Sequence, residues 1–98
     1  MMRRFWRRVA EKGRVWSDPP VLVAALGDSV TQGWMETGCL DAESVYHTRL
    51  QRLLERRHPH TTFSTVNAGC GGETASGGLA RLDRDVIRHQ PDLVLVAY

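Results

Sequence analysis

Ninety-eight residues suffice for one small domain. Hydrophobic residues make up 42% and charged residues 24%, which excludes a disordered chain, and no apolar run approaches the ~18 residues that span a bilayer. The net charge of +2 conceals an asymmetry, because residues 1–16 carry six Lys/Arg against one acid and the remainder seven against ten.

The chain opens on Met1-Met2-Arg3-Arg4, but Phe5-Trp6 is followed at once by Arg7-Arg8. No apolar core of a secretory signal develops, so a cytoplasmic setting is expected. Cys39 and Cys70 lack metal-ligand spacing and are read as reduced thiols, with no metal site. Residues 1–20 form a basic N-terminal segment set apart from a domain over 21–98. A basic stretch with aromatics suits nucleic acid or anionic lipid. The preferred reading is a solvated helix whose Trp6, Val9 and Ala10 pack on the domain edge, because a nucleic-acid binder gathers a larger basic cluster. No nucleic-acid partner is expected.

Asp18-Pro19-Pro20 stops any preceding helix. Val21–Leu26 is then a continuous apolar run ending in Gly27-Asp28, the pattern of a strand buried on both faces. Ser29 to Ala42 reads as a loop with one helical turn. A helix is predicted over 42–57, with Tyr46, Leu50, Leu53 and Leu54 as its apolar stripe, closed by His58-Pro59. Thr62–Val66 is β-branched and aromatic and predicts a second strand. Gly69–Gly78, with five glycines, reads as a turn. A second helix is predicted over 76–88 from Leu79, Leu82 and Val86, stopped by Pro91. Leu93–Tyr98 predicts a third buried strand. The order β-α-β-α-β argues for a three-layer α/β/α fold with a parallel sheet. With no covering helix after the third strand, the chain reads as the N-terminal part of a longer domain, truncated after that strand.

In such sheets ligands bind beyond the carboxyl ends of the strands. Gly27–Gly33 and Asn67–Gly78 emerge there together. The first offers the Ser29 hydroxyl on a tight turn. The second offers backbone N–H groups left uncovered by glycine, suited to a developing oxyanion. Taken singly, each has a plainer reading: Gly-Asp-Ser as a helix cap, and the glycine-rich loop as a phosphate cradle.

Together the two segments resemble the SGNH (GDSL-type) hydrolases. Gly27-Asp28-Ser29-Val30-Thr31-Gln32-Gly33 is similar to that family's first block, G-D-S-x-[ST]-x-G, with Val30 where Leu is usual. Asn67-Ala68-Gly69-Cys70-Gly71-Gly72-Glu73-Thr74 resembles its second, N-x-x-x-x-G-[DE]-T. The resemblance extends over roughly 21–98 and implies a flavodoxin-like SGNH fold and a serine carboxylic ester hydrolase that needs no cofactor or metal and acts on a small acyl ester. It implies Ser29 as nucleophile, the N–H groups of Ser29 and Gly72 as oxyanion donors, and Asp28, Gly27 and Asn67 as supporting residues, with Asp28 bonded to neighbouring loops. The family's G-x-N-D and D-x-x-H segments are not found in these residues. His47, His58, His60 and His89 are read as surface histidines, and none is a credible base. The fragment is therefore expected to be inactive alone. The alternatives are a non-catalytic module binding a phosphate or nucleotide through its Gly-rich loops, and a half-domain that associates through its sheet edge.

Overall fold

The computed structural model describes residues 2–36 and 38–98. Three parallel strands form the sheet: β1 (Val21–Gly27), β2 (Phe63–Gly69) and β3 (Leu93–Ala97), in the order β2-β1-β3. The central strand runs in register from Val21↔Phe63 to Gly27↔Gly69 on one side and from Val23↔Leu93 to Gly27↔Ala97 on the other. Central position and helices on both faces explain why β1 reads as an unbroken apolar run.

Helices α1 (Arg3–Arg14) and α3 (Tyr46–Arg57) share one face, where Phe5, Val9 and Leu54 pack with Val21, Val23 and Phe63. The opposite face buries Ala24, Leu26 and Ala68 beneath Val86, with Leu82 alongside. The three-layer α/β expectation is met. Asp92 ties the start of β3 to β1, its carboxylate accepting from the Leu22 amide at 2.9 Å while its own amide donates to the Leu22 carbonyl at 2.8 Å. Among the described residues, no helix is long and apolar enough to cross a membrane.

Three local expectations change. The N-terminal helix buries Phe5, Val9 and Lys12, whereas Trp6 and Ala10 are exposed. That stripe at i, i+4, i+7 seats the helix in the core, and the Thr61 hydroxyl locks it by donating to the Val9 carbonyl at 2.8 Å. The stripe of α3 is likewise rotated: His47 and Leu54 are its buried residues, Leu50 is half-buried, and Leu53 is exposed. The predicted 76–88 helix is three short pieces, namely α4 (Ala75–Ala80), α5 (Leu82–Asp85) and a 3₁₀ turn at Ile87–His89. Gly77 and Gly78 weaken the helix from within, and breaks at Arg81 and Val86 turn Arg81 and Val86 inward.

Candidate active site

At the carboxyl end of β1 the chain turns sharply into one helical turn, α2 (Ser29–Gln32). Asp28 caps it, its carboxylate accepting from the Val30 amide at 3.1 Å, which satisfies one of the otherwise orphaned N–H groups of a helix start. This is a bond within its own turn, where links to neighbouring loops were expected. Ser29 is half-buried at the first helical position. Among the described residues its hydroxyl and its amide N–H find no hydrogen-bond partner.

Strand β2 is longer than predicted and carries Asn67 and Gly69 within it. Gly69 lies directly under the backbone of α2, where any Cβ would overlap Gln32. Glycine is what allows the turn to settle on the sheet. Asn67 spans the same junction: its amide donates to the Gln32 carbonyl at 3.0 Å, and its side-chain oxygen accepts from the Gly69 amide at 3.0 Å. The carbonyl of Gly27 accepts from the Cys70 amide at 3.0 Å, fixing where the second loop departs.

Beyond Cys70 the loop makes a β-turn, with the Glu73 amide donating to the Cys70 carbonyl at 3.3 Å and Gly72 at φ +74°. Positive φ at the third residue is the type II pattern that favours glycine. Gly71 packs toward Ser29. A Cβ placed on Gly71 would sit 3.9 Å from Ser29 Cβ, while one on Gly72 would meet nothing within 4 Å. The Gly72 N–H has no acceptor among the described residues.

Two anchors escaped the sequence reading. The first is Arg81, whose side chain is only 15% exposed. Its guanidinium donates to Glu73 at 2.7–3.1 Å, to Asp85 at 3.0 Å and to the Ala68 carbonyl at 2.7 Å. Tyr98 adds a hydroxyl donated to Glu73 at 2.7 Å. One cation therefore gathers the second loop, the end of β2 and the residue after β3. The Arg81 hydrogen bonds hold the Glu73 carboxyl below its ordinary range, with burial working against them. Those of Arg84 and Arg81 hold Asp85 well below it. Burial, followed by the bond to Glu73, pushes the Tyr98 hydroxyl up. The i, i+4 spacing of Arg81 and Asp85 was the available signal.

The second anchor is His47, read from sequence as a surface residue and found 4% exposed. Its Nε2 lies 2.8 Å from the carbonyl oxygen of Thr31. A carbonyl only accepts, so Nε2 carries the proton. Nδ1 is buried without a partner. Thr31, fully buried, also shares a 2.9 Å hydrogen bond with the Tyr46 hydroxyl. His47 thus braces the floor of the Ser29 turn from behind. The pattern was present, since positions 47, 50 and 54 fall on one helical stripe. His58 lies between Trp6 and Phe63, tilted against both rings, with centroids 5.9 and 6.4 Å away, and His60 and His89 are exposed far from the turn in sequence.

Next to Gln32, whose side chain accepts from the Trp34 indole at 3.2 Å, an antiparallel bridge joins Trp34 to Leu40 and presents both outward. Thr37, within this loop, lies outside the described residues.

Comparison with known proteins places these features in context. The model of the GDSL-like lipase/acylhydrolase family matches residues 25–98. A two-domain esterase (CEX) active on acetylated mannans superposes with a TM-score of 0.75 at 27% identity, over 95% of this chain and 24% of its own. A second crystal structure of that esterase, co-crystallized with mannopentaose, matches equally at 0.75 and 27%, over 94% and 24%. The lipase/acylhydrolase from Enterococcus faecalis gives 0.56 at 27% identity, over 76% of this chain and 36% of its own. The chain thus spans about a quarter of the first esterase's length. Among curated proteins no match was found.

Proposed function

Since this chain belongs to the GDSL-like lipase/acylhydrolase family, we propose that it carries the nucleophile of a serine carboxylic ester hydrolase, and that the nucleophile is Ser29. The observation that carries the reading is the unpartnered Ser29 hydroxyl at the carboxyl end of the central strand, beside the Gly71-Gly72 turn.

Ser29 Oγ attacks the ester carbonyl carbon and loses its proton to a base. The C=O π electrons move onto oxygen, and the oxyanion is met by the N–H groups of Ser29 and Gly72. Collapse re-forms the carbonyl, breaks the C–O bond as the protonated base returns its proton to the departing oxygen to give the alcohol, and leaves an acyl-serine. Water then releases the acid. Asp28 holds the turn and Asn67 holds the turn to the end of β2, each through the bonds given above. Gly27 supplies the strand end against which both loops close.

The base is the step these residues do not furnish. His47 is engaged by Thr31 behind the turn, and His58 lies between the rings of Trp6 and Phe63. An unassisted serine hydroxyl is a weak nucleophile, so the 98-residue chain alone hydrolyses esters poorly. For the complete reaction we propose a small acyl ester, such as an acetylated carbohydrate, as substrate. Support comes from the acetylated-mannan esterase it resembles.

The test is titration of the chain with a fluorophosphonate and with p-nitrophenyl acetate. Slow, stoichiometric modification that maps to Ser29 and disappears in Ser29→Ala, without turnover, is the expected result. Modification that survives Ser29→Ala sinks the nucleophile assignment. Enzyme-like turnover abolished by Ser29→Ala keeps the nucleophile and overturns the missing base.

A further inference from the structure

The layer formed by α1 and α3 has an outer surface that esterase chemistry does not use. With Phe5, Val9 and Lys12 facing the sheet, Arg3, Arg7 and Arg14 fall on the opposite side of α1 and are exposed. Arg56 and Arg57 are exposed at the end of α3. None of these five has an ion-pair partner among the described residues. Among the described residues Arg4, Arg49 and Arg88 are likewise exposed without an ion pair, whereas Arg8 pairs with Asp92, Arg52 with Glu43 and Glu55, and Arg81 and Arg84 with Asp85.

Between the two helices runs a groove of about 430 Å³ lined by Trp6, Leu50, Leu53, Leu54, Arg57 and His58. Its floor is aliphatic, its rim is cationic, and it contains no acid. Trp6 is 48% and Leu53 56% exposed. Aliphatic side chains with an aromatic at their border, beneath a field of unpaired arginines, complement acyl methylenes below anionic head groups. Stacked bases or a phosphodiester backbone would leave the leucine floor unused.

We propose that the α1–α3 face is a docking surface for an anionic lipid bilayer, with the arginines on head-group phosphates and Trp6 and Leu53 at the acyl boundary. The groove lies over the half of that layer nearer the amino ends of β1 and β2, where Phe5, Leu54 and Phe63 meet, and Ser29 is not among its lining residues. The surface is independent of the role of Ser29.

The experiment uses the 98-residue chain with Trp16→Phe and Trp34→Phe, leaving Trp6 as the single indole. It is sedimented with vesicles of phosphatidylcholine alone or with one-third phosphatidylglycerol. Binding to the anionic vesicles only is expected, with a blue shift of Trp6 emission and weakening by salt. Arg3→Glu/Arg7→Glu, both exposed, should lower vesicle affinity by about tenfold or more with an unchanged circular dichroism spectrum. Equal binding to neutral vesicles, no binding to anionic ones, wild-type affinity in the double reversal, or unmoved Trp6 emission in the bound state each overturns the proposal. Retention by duplex DNA without vesicle binding overturns it in favour of nucleic acid.

Discussion

Asn67 on β2 donates its side-chain amide to the Gln32 carbonyl, thirty-five residues earlier in the chain, at 3.0 Å. That bond, with the return bond from the Gly69 amide, is the direct side-chain tie between the turn after β1 and the strand beside it. Asn67→Ala removes both and leaves the Gly69 N–H without its acceptor. The expected loss is about 1–2 kcal/mol, read as a lowered urea midpoint at constant m-value. An unchanged midpoint would mean that the strand pairing alone sets the junction.

Gly69→Ala should be far more damaging than its size suggests. The added methyl would overlap the backbone of Gln32, which cannot rotate away as a side chain could. A loss of about 3 kcal/mol or failure to fold is expected. Gly38→Ala makes a useful contrast. Gly38 sits at positive φ, as Gly69 does not, but the added methyl has open space, so only about 1–2 kcal/mol of backbone strain is expected.

His47 should show one tautomer by long-range ¹⁵N correlation: a protonated Nε2 facing the Thr31 carbonyl and a bare Nδ1. The opposite tautomer would contradict the hydrogen bond. His47→Ala opens a cavity and orphans that carbonyl, and should cost about 2–4 kcal/mol.

Glu73 and Arg81 give a pH-dependent prediction with a definite sign. The folded carboxyl titrates below its ordinary 4.5 because Arg81 donates to its charged form. Its contribution is therefore fully present above the unfolded value and is lost as pH falls through the folded one. Wild type should exceed Glu73→Gln in melting temperature at neutral pH, and the gap should close on acidification. A gap that widens in acid would contradict the ion pair. Arg81→Met should lower stability at neutral pH and flatten the same profile.

Strands were legible because each is a short apolar or β-branched run bounded by proline or glycine, and Gly27-Asp28-Ser29 marked the turn after the first. His47 and Arg81 were not. In α3 the sequence offers two overlapping stripes, and the one containing Leu53 is more apolar, whereas packing selected the one containing His47 because a carbonyl waits for it at Thr31. Arg81 sits inside what periodicity marks as a single helix. In a helix already weakened by Gly77 and Gly78, a tertiary demand, the carbonyl of Ala68 and the carboxylate of Glu73 converging on one guanidinium, draws Arg81 inward at the break. A one-dimensional pattern carries no record of such a demand. Lys12 is buried for a similar reason, its ammonium reaching the Trp16 carbonyl.

The strand order β2-β1-β3 also sets a timetable for folding. The first strand made is the middle one, and Val23 finds its partner Leu93 only seventy residues later. Loop closures of that span are slow relative to helix formation. Tyr98 reaches Glu73 only after β3 has docked, so the second glycine-rich loop should acquire its final shape late. In quench-labelling hydrogen exchange, the amides of β1 facing β3 and of the Cys70–Glu73 turn should gain protection together, after those of α3.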